Sequence, residues 1–396
     1  MKKSLVFLLI MAILCVSIPF SVSADDADVY VGGVAMSDGD YLANGATSTT
    51  KTKPAESGYA YFKDGVLTLN YYDYTGEGYS YQLSPDEEYT YPSCIFSPSD
   101  LVISLEGVSY LENTAEEGEC ISIDGNLTIK GDDESGIKIN GYYGIYAYSL
   151  DSDISLTFDS GILYATGTYG IMLDGYYSDA KLTVNGGILG FETDDIAISV
   201  YSEYDTYIEI NGGEIGTMSA VYSYSYLGTA DITINRGALY AVSENIAIVS
   251  YSEASDGENI LSTVHLNNGD LYAYGQYCGV YADELFVLGG EFRVAYDPEA
   301  YPEGALYSGG ITAVDGMGEI GTTIDSEYGI GVYEMGDVNS DLKVDASDYL
   351  IVKRLCFGSY KLWGSENLRA DIDENETINA TDYLLIKRIC FNTYSA

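Results

Sequence analysis

A short phrase returns eight times between about residue 90 and residue 330: a small residue followed by Ile or Val, inside a β-rich stretch. The small residues are Cys94, Cys120, Gly144, Gly170, Ala197, Ala220, Ala247 and Gly279, spaced by 26, 24, 26, 27, 23, 27 and 32 positions. A second phrase, in five copies, follows at a steady offset. It reads LTFDSG to Gly161, LTVNGG to Gly187, IEINGG to Gly213, ITINRG to Gly237 and VHLNNG to Gly269. Two strands and two turns in 23–32 residues make one coil of a parallel β-solenoid. A leucine-rich repeat would show its L-x-x-L-x-L ladder, and a propeller blade needs about 40–50 residues. The fold expected is therefore all-β, a parallel β-helix, right-handed in its usual form.

Coils stacked about 4.8 Å apart align like residues in ladders. Gly after Asn or Asp suits a corner with positive φ, and the scarcity of Pro (7) keeps the inter-coil pairing intact. Alternation places Ile145 and Ala147 inward with Tyr146 and Tyr148 outward. The same register turns Tyr201, Tyr224 and Tyr251 outward, in one column with Tyr148 that Asp174 interrupts. With 41 Tyr in the chain, two readings fit that column. Tyrosine covers a sheet face well, or Tyr148, Tyr201, Tyr224 and Tyr251 form a wet aromatic strip that contacts sugar rings, with flanking carboxylates for sugar hydroxyls or Ca²⁺. Cys94 and Cys120 share one repeat position, as a disulfide between rungs or as a buried thiol ladder.

The chain carries 61 Asp+Glu against 17 Lys+Arg, a formal net charge of −44. That repels nucleic acid and anionic lipid, so neither is expected as a partner. A single His excludes two-histidine zinc motifs. Residues 1–24 read as a signal peptide: Lys2 and Lys3, an apolar stretch from Ser4 to Phe20, and Val22 and Ala24 before the cut. Secretion is expected, with no membrane insertion after cleavage. Residues 25–335 form the solenoid, and residues 336–396 a third segment.

In that segment, Asp337 to Asp348 read DVNSDLKVDASD, and Asp371 to Asp382 read DIDENETINATD. Side-chain oxygens fall at loop positions 1, 3, 5, 9 and 12 of both, with position 7 left to a backbone carbonyl, which is EF-hand calcium spacing. The ligand sets are Asp337, Asn339, Asp341, Lys343, Asp345 and Asp348, then Asp371, Asp373, Asn375, Thr377, Asn379 and Asp382. Position 12 is Asp rather than Glu, and only the stretch leaving each loop is helix-patterned. The copies repeat at an offset of 34, down to Lys353-Arg354 against Lys387-Arg388 and Cys356 against Cys390. The segment from Gly336 to Thr393 resembles a type I dockerin of cellulosomal proteins. The resemblance implies two bound Ca²⁺ and docking into a cohesin module of a scaffoldin. It assigns cohesin recognition to Ala346, Ser347, Ala380, Thr381 and the pairs Lys353-Arg354 and Lys387-Arg388. Loop position 6, usually Gly, is Leu342 and Glu376 here, which is expected to weaken calcium binding.

The solenoid resembles secreted carbohydrate-binding-domain proteins of gut and rumen bacteria, right-handed β-helices. The phrases that carry this are VYVGGVAM (Val29 to Met36), DGVLTLN (Asp64 to Asn70), DGNLTIKG (Asp124 to Gly131) and the INGG corners. It implies binding of plant cell-wall polysaccharide without assigned catalytic residues. β-Helical lyases need a Lys or Arg base beside calcium. Of the eight basic residues between Asp25 and Met335, Lys181 opens a strand and Arg236 replaces a turn glycine, neither with a partner evident in the sequence. Only Asp194-Asp195 matches the phrases shared by β-helical polygalacturonases, and His265 faces outward from a strand. The expectation is a secreted, non-catalytic cellulosome component. A lyase or glycoside hydrolase is the alternative, and a structural spacer or adhesin the third reading.

Overall fold

The computed structural model describes residues 27–55, 58–82, 89–255, 261–296, 306–307, 310–313, 327–332, 335–339, 343–362, 366–373, 375 and 377–391. The signal-peptide segment 1–24 lies outside the described residues. From Val66–Asn70 onward the chain winds as a parallel β-solenoid. One face is a 12-stranded sheet that includes Ile154–Phe158, Ala180–Val184, Thr206–Ile210, Ala230–Ile234 and Ser262–Leu266. Each of these five pairs in parallel with its equivalent one coil away.

The coil has three strand positions rather than the two expected. Long strands such as Ile162–Gly175 and Ile188–Ser202 turn a corner midway, so one strand serves two faces. The first half of Ile188–Ser202 pairs with Glu214–Thr217 and its second half with Ala220–Ser225. The turn lies at Gly167, where φ is +123° and the register shifts. The corner is polar on both strands, Thr166-Gly167-Thr168 on one and Glu192-Thr193-Asp194-Asp195 on the next, and the glycine lets the backbone turn there while pairing continues on either side.

Three inward ladders, one per face, fill the interior. Ile121, Ile145, Ile171, Ile198, Val221, Ile248 and Val280 stack in register and are all fully buried. Leu156, Leu182, Ile208, Ile232, Val264 and Leu285 form the second. Leu163, Leu189, Ile215, Leu239, Leu271 and Phe292 form the third. Each such side chain contributes about 1.5–3 kcal/mol by burial. Antiparallel strands close both ends: Val29–Val31 on Val34–Met36 and Tyr59–Lys63 on Val66–Asn70 at one, and Glu327–Val332 on Gly290–Tyr296 at the other. This protects the terminal strand edges from pairing with other chains.

The Asn-Gly corners form a ladder of side chains. The amide of Asn185 donates to Asp159 (2.8 Å), Asn211 to Asn185 (3.1 Å), Asn235 to Asn211 (2.8 Å) and Asn267 to Asn235 (2.8 Å). The glycines that follow take positive φ, +89° at Gly213 and +88° at Gly237. A Cβ on Gly237 would sit 2.4 Å from the Gly213 carbonyl oxygen. Cys94 and Cys120 are buried free thiols on neighbouring rungs, the thiol-ladder alternative. The contact with Cys120 and burial both push the Cys94 thiol up.

The C-terminal segment folds separately, with helices α1 (Ala346–Cys356), α2 (Glu366–Ala370) and α3 (Ala380–Cys390). Its small core of Val338, Val352, Leu362, Ala370, Ile372 and Ile386 is distinct from that of the solenoid. No helix among the described residues is long and apolar enough to cross a membrane.

Candidate functional site

Both C-terminal loops are built by one rule. The last loop residue is also the third residue of the helix that follows. Asp348 Oδ1 accepts from the amides of Val338 (2.8 Å) and Asn339 (3.1 Å), and its Oδ2 from that of Asp345 (2.8 Å). Asp382 does the same for Ile372 (3.0 Å), Asp373 (3.4 Å) and Asn379 (2.9 Å). Position 9 caps the helix, with Asp345 accepting from the Ser347 amide and Asn379 from the Thr381 amide, both at 2.8 Å. Each loop is thus tied to its helix by a capping box. The hydrogen bonds from Ser347 hold the Asp345 carboxyl below the usual carboxylate range.

In the second loop one carboxylate oxygen from each of Asp371, Asp373 and Asp382 lies within 4.8 Å of the others. Asp371 Oδ1 also accepts from the Asn375 amide (3.2 Å), and Asn375 Oδ1 from the Thr377 amide (2.9 Å), which folds the loop round that point. The Thr377 carbonyl accepts from the Asn379 side chain at 2.8 Å. Partial loss of water within the loop, then the charges of Asp382 and Asp371, push Asp373 up. Crowded hard oxygen donors fit a hard divalent cation such as Ca²⁺. In the first loop Asp337 and Asp348 are buried, with Asn339, Lys343 and Asp345 around them. Asp341, and Leu342 and Glu376 at position 6, lie outside the described residues.

Ala346, Lys353, Arg354, Ala380, Thr381 and Arg388 are exposed, while Ser347 and Lys387 are half-buried. Lys387 lies over the rings of Tyr349 and Tyr383. Two apolar pairs at the same offset of 34 escaped the sequence reading: Leu350 with Leu384, and Phe357 with Phe391, the phenylalanines 78% and 63% exposed. Their repetition was the signal that would have found them. Cys356 and Cys390 are free thiols, and Cys390 Sγ donates to the Asp345 carbonyl at 2.9 Å.

On the solenoid, Tyr148, Asp174, Tyr201, Tyr224 and Tyr251 stand in one column, in the expected register. Tyr148 is buried in an aromatic cluster with Tyr30, Tyr81 and Phe96 from the N-terminal strands. Tyr201, Tyr224 and Tyr251 remain half-exposed. The rings of Tyr201 and Tyr224 stack face to face at 5.3 Å and 18°, and Tyr251 tilts by 45° against Tyr224. Rings stacked on each other present their edges and hydroxyls to water, rather than the open faces expected. The Tyr224 hydroxyl donates to Glu253.

Under the same aromatic roof lie two carboxylates, Asp174 of the column and Glu119, which the sequence did not single out. Burial pushes Glu119 up to about 7 and Asp174 up to about 6. Oε1 of Glu119 and Oδ1 of Asp174 have no hydrogen-bond partner.

Lys181 and His265 stand three strands apart on the same outer face. With Tyr207, Glu209, Asp231 and Thr233 they line a shallow hollow of about 270 Å³ on the outer side of the 12-stranded sheet. Lys181 Nζ pairs with Glu209 Oε2 at 2.6 Å, and the His265 ring stacks on Phe286 at 4.5 Å. Asp194 and Asp195 are exposed at a bend, where Asp195 accepts from the Tyr169 hydroxyl. Arg236 has the partner its sequence context hid, a bidentate pair with Glu366 at 2.7 and 2.8 Å.

No curated protein and no solved structure matches the chain. Residues 335–389 match the family model of the dockerin type I domain. Two capped, acid-rich loops related by an offset of 34 are thus a C-terminal type I dockerin, carried behind a β-solenoid.

Proposed function

We propose that the protein is a secreted cellulosome component. Its signal peptide (1–24) is removed, its solenoid (25–335) binds plant cell-wall polysaccharide without cleaving it, and its dockerin (336–396) binds two Ca²⁺ and docks into a cohesin. The observation that carries this is the second loop, where Asp371, Asp373 and Asp382 converge oxygen atoms inside a segment of dockerin sequence. Cohesin recognition is supported by the exposure of Ala346, Lys353, Arg354, Ala380, Thr381 and Arg388. The repeated apolar pairs Leu350/Leu384 and Phe357/Phe391 add area of the kind an interface buries.

Glycan contact on the solenoid runs through the edges and hydroxyls of Tyr201, Tyr224 and Tyr251 and the flanking carboxylate of Glu253, which suits hydrogen bonding to sugar hydroxyls. Depletion of the full chain from solution by insoluble cellulose, xylan or pectate tests it. Binding to one polymer, reduced by Tyr201→Ala with Tyr224→Ala, supports the reading. Depletion by none of them sinks it.

The hollow favours one second reading. Lys181 paired with Glu209, in a hollow that Asp231 also lines, sets carboxylates around one base-type side chain, the arrangement a lyase on this scaffold requires. New reducing ends or unsaturated products from the wild-type chain, absent with Lys181→Ala, would establish it over the non-catalytic reading.

A further inference from the structure

The residue before the turn glycine holds an equivalent place on successive coils. Arg236, Asn268 and Gly289 each donate their amide to the carbonyl that ends the preceding coil's strand, Ile210, Ile234 and Leu266. Gly186 and Gly212 occupy the same place in the phrase on the two coils before Arg236. Polar side chains stand here at Arg236 and Asn268, on adjacent coils, and both reach the dockerin.

Arg236 forms its bidentate pair with Glu366, whose side chain is 2% exposed. Its guanidinium lies 5.1 Å from the centre of the Tyr360 ring, and Arg354 approaches the same ring at 5.1 Å. Asn268 is used at both ends. Its Nδ2 donates to the Asn339 carbonyl at 2.6 Å, and its Oδ1 accepts from Arg369 Nη2 at 3.1 Å. Glu366, Arg369 and Asn268 are buried. A planar guanidinium that is bidentate and stacked fixes orientation as well as distance, which a lysine at this corner would not. Removing Arg236 would leave the buried Glu366 carboxylate without its partner.

We propose that Arg236 and Asn268 form a seat that holds the dockerin in one orientation on the solenoid and supports its first calcium loop. The support is direct, because Asn339 is position 3 of that loop and its carbonyl is held by Asn268. The pseudo-equivalent residue in the second loop, Asp373, is exposed. The seat therefore distinguishes two loops that the sequence repeat makes alike. This half of the inference rests on the calcium reading above. The fixed orientation does not.

The test uses the full chain with calcium. Arg236→Gly with Asn268→Gly restores at both places the residue of the neighbouring coils, so the coil itself should persist, as an unchanged solenoid melting transition would verify. Small-angle scattering of the wild type should give one compact particle, and the double variant a larger maximum dimension. Arg236→Glu should loosen the particle likewise, and Arg236→Glu with Glu366→Arg should restore it. A wild-type profile already fitting a freely tumbling module, or no change in the variants, would overturn the seat. Calcium titration gives the second readout: Asn268→Gly should weaken one of two binding events about tenfold, the scale of one lost buried hydrogen bond. Two unchanged events would overturn the support of the first loop. No calcium uptake by the wild type would sink the calcium reading and that support together, leaving scattering to judge the orientation.

Discussion

The hydroxyl of Tyr81 donates to Oε2 of Glu119 at 2.8 Å, across 38 positions of sequence, and lies 2.6 Å from the Ser122 hydroxyl. That bond favours the ionised carboxyl, yet burial outweighs it and Glu119 is pushed up from 4.5 to about 7. The folded state therefore prefers the protonated form. Below pH 4.5 the group has no effect on stability. As pH rises from there to about 7, the unfolded chain ionises first and stability falls, by about 3 kcal/mol in all. Melting should be higher at pH 5 than at pH 8, and Glu119→Gln should narrow the difference. An equal difference in wild type and variant would refute the assignment.

Asn211 sits inside the corner ladder, accepting from Asn235 and donating to Asn185. Asn211→Ala removes both bonds and should cost about 1–2 kcal/mol in denaturant unfolding. Thr→Ala at the exposed Thr381, off the ladder, should leave the solenoid transition where it is. Equal midpoints for the two variants would show the ladder to be energetically idle.

Gly237 and Gly216 offer a paired test of the corner. A side chain at Gly237 meets both a φ of +88° and the Gly213 carbonyl at 2.4 Å, whereas a Cβ on Gly216 has nothing within 4 Å. Gly237→Ala should destabilise by more than about 2 kcal/mol, and Gly216→Ala should be tolerated. Stability measurements in the reverse order would contradict the corner geometry.

Asp373 and Asp382 divide two jobs. Both bring a carboxylate oxygen within 4.8 Å of that of Asp371, but Asp382 also bonds three backbone amides and completes the cap of α3. Asp373→Ala should weaken calcium binding with helix content kept in saturating calcium. Asp382→Ala should lose calcium and part of the helical signal as well. Calorimetric titration beside circular dichroism separates them, and identical losses in both variants would count against the division.

Much of this was readable in one dimension. A period of two put Ile145 and Ala147 inside, the recurrent Asn gave the ladder, and twelve-residue loops gave the dockerin, because each depends on neighbours at fixed offsets. The third face was hidden, since the corner at Thr166-Gly167-Thr168 is only a few residues long and strand pairing continues on both sides of it. Tyr148 was read as outward, and it is; its cover of Tyr30, Tyr81 and Phe96 comes from strands that no local pattern ties to it. The Lys181 and His265 hollow was within reach, because it needs only the coil register carried across Lys181, Tyr207 and Asp231 and across Glu209, Thr233 and His265. Glu366 lies 130 positions from Arg236, and no periodicity connects them.

A dockerin seated on Arg236 and Asn268 as proposed would also redirect mechanical load. A pull between a captured polymer and the scaffold would otherwise enter through the chain end near residue 335 and peel the last coil. With the dockerin gripped at two inner corners, tension would pass sideways into coils that have neighbours above and below. There it would act as shear on many parallel hydrogen bonds at once, sparing the final turns of the solenoid the strain of tethering.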